Sequence, residues 1–274
     1  MGKVLKILGI IFLVIVVLGV AGLFIAHSAG TKAQEELFAA FGTGDVDAVM
    51  ALMHPALKEE VDKPVLAAVI AGFNERLGAF EKLSSSNFNT STEVRDGVKL
   101  TESRGEVVFE KGRATSDLGY RDGLLLRLNI ESDLVVESWF RDDFDTSLYR
   151  ERGKAFLEKL FGGRAEGAFA MMHKESQAKI LIEKVKAEMA DLGSSGGALK
   201  SVTHQSEELK LGASPTLTIR YLVEAEKGRA MSMVKFQFNG LKGHLVSFNP
   251  LDGDPPDAGS GADDALPPTF GEQF

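Results

Sequence analysis

The sequence contains the same pattern twice, and this duplication constrains the fold more than any other feature. Shifted by 119 residues, positions 37–83 lie on 156–202 without a gap. His54 then matches His173, and apolar positions match more widely than identities do. Repetition at a fixed offset indicates one structural unit used more than once.

Two further blocks follow in the same order. At a shift of 116, residues 110–116 lie on 226–232, and six of the seven residues are identical, including the segment Glu-Lys-Gly-Arg-Ala. At a shift of 117, residues 122–124 lie on 239–241. Chance similarity would not keep three blocks collinear, so we predict one domain copied in tandem.

The first copy opens with helix signals. A capping-box sequence precedes a predicted helix over 32–41, which Gly42 and Gly44 end. A second short helix is predicted over 45–53, and Pro64 suits the first residue of a third helix. Turn dipeptides such as Lys-Gly and Asp-Gly then separate strand-like runs.

The second copy repeats this order. A helix is predicted over about residues 147–161, and an apolar face at helical spacing marks a later helix through Leu181, Val185, Met189 and Leu192. Strands are predicted near 199–209, 216–226, 229–238 and 241–248. Helices followed by an antiparallel meander predict an α+β fold.

We therefore expect two tandem cone-shaped domains, because three helices cover only one face of a strongly twisted sheet, which then curls around them. One transmembrane helix is expected before them. The predicted segments are an anchor over 1–31, repeats over 32–140 and 141–250, and a disordered tail over 251–274.

The anchor prediction rests on Ile7 to Ala26, twenty residues without a charge. A helix of that length spans roughly 30 Å, the thickness of the hydrocarbon core. The alternative is a cleaved signal peptide ending near Ser28, but the apolar run exceeds the usual range of about 7–15 residues. Lys3 and Lys6 favour a cytoplasmic N-terminus, which predicts a single-pass protein of the cell membrane with a periplasmic or surface-exposed body.

The other end of the chain explains the net charge. The last 24 residues hold six acids, no Lys or Arg, and four prolines, a composition that predicts disorder. They carry −6 of the −8 net charge, so the body is nearly neutral. The overall charge of −8 and the pI of about 5.3 argue against nucleic-acid partners.

The arrangement of helices, glycines and hairpins resembles the nuclear transport factor 2-like superfamily, a cystatin-like α+β cone. The resemblance lies in the helix–Gly–acid–helix opening at 41–45, the corresponding 160–164, the Gly-Ala steps at 78–79 and 197–198, and the final hairpins. It covers about residues 32–250 and implies a pocket between helices and sheet. It implies no single activity, because the superfamily includes enzymes, ligand binders and adaptors.

His54 and His173 are the candidate catalytic residues. They occupy equivalent positions after the second helix, where an imidazole could act as general base. The sequence offers no fixed acidic partner for either. The alternative interpretation is a structural histidine at a helix end or at the edge of the core.

Lys111, Arg113, Lys227 and Arg229 are weaker candidates for ligand binding, as anion sites at hairpin tips. The alternative is that Lys-Gly simply forms the tight turn, with exposed charges beside it. No cofactor motif is present. Five scattered histidines and no cysteine predict no metal site.

Two functions follow as hypotheses. The first is a membrane-tethered extracytoplasmic module that binds a protein partner or a small ligand, without identified catalysis. The second is an enzyme of hydrolase or isomerase type that uses His54 or His173 as general base in the cone pocket. The two hypotheses differ in whether those imidazoles lie within hydrogen-bond reach of a carboxylate.

Overall fold

The computed structural model describes residues 32–84, 89–95, 97–134, 140–141 and 143–251. The predicted anchor and the acidic tail beyond Leu251 lie outside these residues. The chain divides into two compact units, which we call unit 1 (Met1–Trp139) and unit 2 (Phe140–Phe274). No helix in the described ranges is long and apolar enough to cross a membrane.

Unit 1 places its helices before an antiparallel sheet. The helices are α1 (residues 32–43), α2 (Val46–Leu52), α3 (Pro55–Lys58) and α4 (Lys63–Leu77). The strands are β1 (Phe80–Leu83), β2 (Asn89–Arg95), β3 (Val98–Phe109), β4 (Gly112–Arg121) and β5 (Leu124–Glu131). The sheet has the order β1-β3-β4-β5, and β2 also pairs with β3.

Unit 2 has the same arrangement. Its helices are α5 (Ser147–Phe161), α6 (Ala165–Phe169), α7 (Lys174–Gln177) and α8 (Ile182–Gly196). Its strands are β6 (Leu199–Lys210), β7 (Thr216–Ala225), β8 (Arg229–Asn239) and β9 (Lys242–Asn249), in the order β6-β7-β8-β9. The predicted α+β class, with two antiparallel sheets and helices, is confirmed.

Several local predictions were wrong. The described part of each unit has four helices rather than three, because the single-turn helices α3 and α7 leave no periodic signal. Pro64 is the second residue of α4, not the first. Leu181 is 75% exposed because it precedes α8 instead of joining its buried face, which contains Val185 and Met189.

The third sequence block was also misaligned. A parallel bridge joins Met53 to Leu125 in unit 1 and Met172 to Leu245 in unit 2, so Leu125 corresponds to Leu245. The last hairpin turns on Asp122 and Gly123 in unit 1, both with positive φ. In unit 2 the hairpin continues to the pair Asn239 and Lys242, so its turn lies farther from the bridged leucine than in unit 1.

The two sheets share their irregularities as well as their strand order. The pairing register shifts after Phe80 in unit 1 and after Leu199 in unit 2, at corresponding positions. It shifts again before Tyr120 and before Phe236. Because such bulges re-aim the residues that follow them, their repetition indicates that the two sheets follow equivalent backbone paths at these positions.

Each sheet buries one side, which we call the inner face, against the helices of its unit. In unit 1, Phe38 and Phe73 from the helices contact Phe109, and the ring centres of Phe73 and Phe109 are 4.6 Å apart. In unit 2, Tyr149 of α5 packs against Phe236 and Phe238 at 5.3 and 5.1 Å. Aromatic contacts of this kind contribute beyond the area that they bury.

Candidate functional site

The two candidate histidines occupy the same backbone position. The His54 amide donates to the Leu125 carbonyl at 2.7 Å, and the His173 amide donates to Leu245 at 2.8 Å. Their side chains differ: Nδ1 of His54 accepts from the Ala56 amide at 3.2 Å, whereas the His173 ring makes no such cap bond. The bond that both copies share therefore belongs to the backbone.

Within the described residues, no hydrogen bond or ion pair joins either imidazole to a carboxylate. Both side chains are half-buried. The proposed role as general base stays a prediction for both.

The Glu-Lys-Gly-Arg segment is a structural link in each unit. In unit 1 the Glu110 amide donates to the Ala79 carbonyl at 2.9 Å, and the Lys111 amide donates to Leu77 at 2.8 Å. The carboxylate of Glu110 lies 3.5 Å from the Ala79 amide. This joins the end of α4 to the tip of the β3–β4 hairpin.

Unit 2 repeats the link with Glu226. Its amide donates to Ala198 at 3.0 Å, and its carboxylate accepts from the Ala198 amide at 3.3 Å. The glycine before each alanine, Gly78 or Gly197, has a φ of +75° or +78°. We call this arrangement the helix–hairpin clip, and it explains why this segment is the best-matched part of the two copies.

The four basic residues beside the clip have the following surroundings. Lys111 Nζ donates to the Glu75 carbonyl at 3.0 Å. Arg113 pairs with Glu106 at 3.0 Å. In unit 2, Arg229 pairs with Glu224 at 2.9 Å, and Lys227 is exposed. Anion binding by these residues stays a prediction.

The inner faces of the two units differ in chemistry. At the shift of 116, three positions of β3 correspond to three positions of β7, because each pairs with the equivalent residue of the next strand. Unit 2 has large apolar or aromatic side chains there, namely Leu217, Ile219 and Tyr221. Unit 1 has Thr101, Ser103 and Gly105. The inner face of β3 is thus smaller and more polar than that of β7.

On the helix that packs against these strands, unit 1 has the larger side chain and unit 2 the smaller one. A Cβ added to Gly153 of α5 would collide with the Tyr221 hydroxyl and lie 2.7 Å from Val234. Glycine therefore makes room for Tyr221, whose hydroxyl donates to the Arg150 carbonyl at 2.8 Å. At the shift of 119, unit 1 has Gln34 in place of Gly153.

Gln34 is fully buried, and neither atom of its amide has a hydrogen-bond partner among the described residues. The buried hydroxyl of Tyr120 on β4 is likewise unpartnered there. Tyr120 takes the place of Phe236, and Leu118 takes that of Val234, so Gln34 and Tyr120 belong to the same part of the inner face. Burial raises the pKa of Tyr120, which keeps its hydroxyl protonated and able to donate.

Unit 2 has a charged cluster that unit 1 lacks. Glu207 of β6 accepts from the Thr146 hydroxyl at 2.7 Å, pairs with Arg150 at 3.0 Å, and lies 3.3 Å from Nε2 of His204. A bulge between His204 and Ser206 brings residues 204 and 207 to the same side of the strand. Burial raises the pKa of the neighbouring Tyr221, and the charge of Glu207 adds to this effect.

The contact of His204 with Glu207 was not predicted from the sequence. Strict alternation along β6 puts residues 204 and 207 on opposite faces, and only the bulge overrides it. The difference between the inner faces was readable, because aligning the strands at 116 sets Ser103 against Ile219 and Gly105 against Tyr221.

No known family model matches this chain, and no curated protein matches it.

Proposed function

We propose that this protein is a membrane-tethered extracytoplasmic binding module in which unit 1 holds a small neutral molecule. The ligand would carry a flat apolar body and a hydroxyl or amide group. One observation carries the proposal: the amide of Gln34 is fully buried without a hydrogen-bond partner among the described residues.

An amide that is buried and unpaired among the described residues, such as that of Gln34, destabilises the folded state. A buried polar group left without a partner costs roughly 1–3 kcal/mol, so folded proteins rarely keep one without a reason. Gln34 offers a donor and an acceptor, and the Tyr120 hydroxyl adds another donor. A ligand that pairs with these groups would remove the cost, which is a source of affinity.

The comparison with unit 2 suggests the ligand's shape. There the phenol ring of Tyr221 fills the inner face at the position where unit 1 has Gly105. The ligand would offer a phenol-like ring to this part of the inner face, and the cone pocket implied by the resemblance would lie in the same place. No charge lies on the substituted positions Thr101, Ser103 and Gly105, which favours a neutral ligand.

The tether is the second part of the proposal. The apolar segment from Ile7 to Ala26 would anchor the chain, and the basic residues before it would keep the N-terminus in the cytoplasm. Both units would then face the outside of the cell membrane. The acidic tail would remain available to a protein partner.

The test uses p-cresol, which has the side-chain structure of tyrosine. The full chain, purified in detergent, is titrated with p-cresol, and the midpoint of thermal unfolding is measured for unit 1. We expect this midpoint temperature to rise with the p-cresol concentration, because a ligand that binds only the folded state stabilises it. The transition of unit 2 should not move.

The matched control is the double variant Gln34→Gly/Gly105→Tyr, which gives unit 1 the residue pair of unit 2. It should fold and lose the response to p-cresol. A parent chain that shows no response, or a double variant that responds equally, would refute a ligand site on this inner face.

A second candidate function is enzymatic, and the contact of His204 with Glu207 favours it. Nε2 of His204 and Oε2 of Glu207 lie 3.3 Å apart without a hydrogen bond in this structure, and a small rotation of the ring would let the carboxylate orient it as a general base. Hydrolysis of p-nitrophenyl acetate by the full chain tests this: His204→Gln and Glu207→Gln should abolish turnover while His54→Gln should not. Loss of turnover in His54→Gln or His173→Gln instead would restore the original pair as candidates.

A further inference from the structure

Two imidazoles of unit 2 lie in direct contact. His173 precedes α7 and His244 lies on β9, and their ring centres are 4.6 Å apart with 61° between the ring planes. The bridge from Met172 to Leu245 and the 2.8 Å bond from the His173 amide to Leu245 hold the two backbones together. The fold therefore fixes the spacing of the pair.

The two rings are close enough for one metal ion to bind both imidazoles. Zinc–nitrogen bonds of about 2.0–2.1 Å put each ring centre about 3.2 Å from the ion, so two rings at about 90–110° are about 4.5–5.2 Å apart. We propose that His173 and His244 form a two-histidine site for a divalent transition-metal ion such as Zn²⁺ or Cu²⁺. Imidazole nitrogen is a preferred ligand for both ions.

Unit 1 shows that the fold does not require the second imidazole. The residue corresponding to His244 is Leu124, because Leu125 and Leu245 are equivalent in the two bridges. The ring of His54 caps α3, whereas His173 makes no side-chain cap bond. The histidine pair is therefore an addition in unit 2, at a position where unit 1 has an ordinary apolar residue.

The site would be open. In the part of the chain that the structure describes, no group of three or more His, Asp or Glu side chains could hold a metal ion. An ion bound by two imidazoles keeps positions for water or an added ligand, as in catalytic rather than structural zinc sites. The expectation of no metal site assumed that the histidines are scattered, and the fold brings two of the five together.

The experiment titrates the full chain, purified without a histidine tag in detergent, with Cu²⁺ and separately with Zn²⁺ by calorimetry. We expect one ion per chain. Electron paramagnetic resonance of the Cu²⁺ sample should show coupling to two nitrogen ligands. His173→Gln and His244→Leu, the latter giving unit 2 the residue of unit 1, should each weaken binding about tenfold or more.

His54→Gln is the matched control and should bind as the parent does. Circular dichroism checks that each variant is folded, and if His244→Leu is not, His173→Gln decides the question. Absence of binding by the parent, or unchanged affinity in the folded His173→Gln variant, would overturn the proposal. Equal losses in His54→Gln would also overturn it.

Discussion

Unit 1 and unit 2 share their backbone features and differ in what those features enclose. Both have the helix–hairpin clip, the bridge before the third helix, and bulges at corresponding positions. Inside, unit 2 is filled by Tyr221 and Phe236, whereas unit 1 holds Gln34 and Tyr120. The residues that match best in sequence therefore maintain the fold, and the residues that differ change the chemistry of the inner face.

The charged residues also divide into those that match between the units and those that differ. Glu110 and Glu226 match and serve the clip. The cluster of Glu207 with Arg150 and His204 belongs to unit 2 alone, since unit 1 has Thr90 at the position of Glu207. Partly exposed ion pairs of this kind contribute little stability, so unit 1 can fold without the cluster.

The largest expected effect comes from emptying the inner face of unit 2. Tyr221→Gly, which introduces the residue of unit 1, should lower the free energy of unfolding of unit 2 by about 3–5 kcal/mol because a fully buried ring is lost. Chemical denaturation of the full chain, followed for each unit's transition, measures this. Tyr221→Phe removes only the hydroxyl bond to Arg150 and should cost about 1 kcal/mol. A loss below that of Tyr221→Phe would contradict the packing described for unit 2.

An intermediate loss of stability is expected from substitutions in the two clips, and comparing them tests whether the clips are equivalent. Gly78→Ala and Gly197→Ala should each cost about 1–3 kcal/mol, because a positive φ combined with a ψ of −165° or −162° is a backbone conformation that only glycine adopts readily. The added Cβ would also lie 2.9 Å from Glu110 in unit 1 and 2.7 Å from Glu226 in unit 2. Each variant should shift only the transition of its own unit.

Gly163→Ala is the control for the clip, since Gly163 has a φ of +74° but nothing within 4 Å of its added Cβ. It should cost less than Gly197→Ala in the same unit. Equal costs would mean that neither the ψ of −162° at Gly197 nor the contact with Glu226 adds to the strain of a positive φ.

The smallest effect concerns the outer face of unit 1. The hydrogen bond from Arg104, with Arg127 on the other side, holds the pKa of the Asp117 carboxyl below its ordinary value of 3.8. Its stabilisation is therefore complete above that ordinary value and is lost as the pH falls through the lower pKa of the folded state. Asp117→Asn should destabilise unit 1 by about 0.5 kcal/mol at neutral pH, an exposed-pair magnitude.

Denaturation of parent and Asp117→Asn at several pH values measures the difference, which should shrink below pH 3.8 and also in high salt. Unit 2 has Met233 at the corresponding position and should show no such difference. A gap between parent and variant that widens in acid would reverse the sign argued for Asp117.

Much of the fold could be predicted from the sequence because its signals are local. The helix Ser147–Phe161 has the predicted bounds, and the strands of unit 2 lie within about two residues of prediction, since Lys-Gly and Asn-Gly mark the turns. The α3 and α7 turns could not be predicted, because four residues carry no periodicity.

The candidate sites were harder to predict because they depend on pairing between distant strands. The contact of His204 with Glu207 depends on a bulge that only the pairing with β7 reveals. The contact of His173 with His244 joins residues from opposite ends of unit 2. A general base at His54 or His173 was inferred from matched positions, but matched positions also arise from a shared backbone bond.

The helix–hairpin clip closes a segment of different length in each copy. It closes a loop of 31 residues from Ala79 to Glu110 and one of 28 residues from Ala198 to Glu226. Closure entropy grows only with the logarithm of length, so this difference changes the cost by about 0.1 kcal/mol. The three-residue difference between the copies therefore costs almost nothing in closure entropy, and the clip holds the two ends of each segment together.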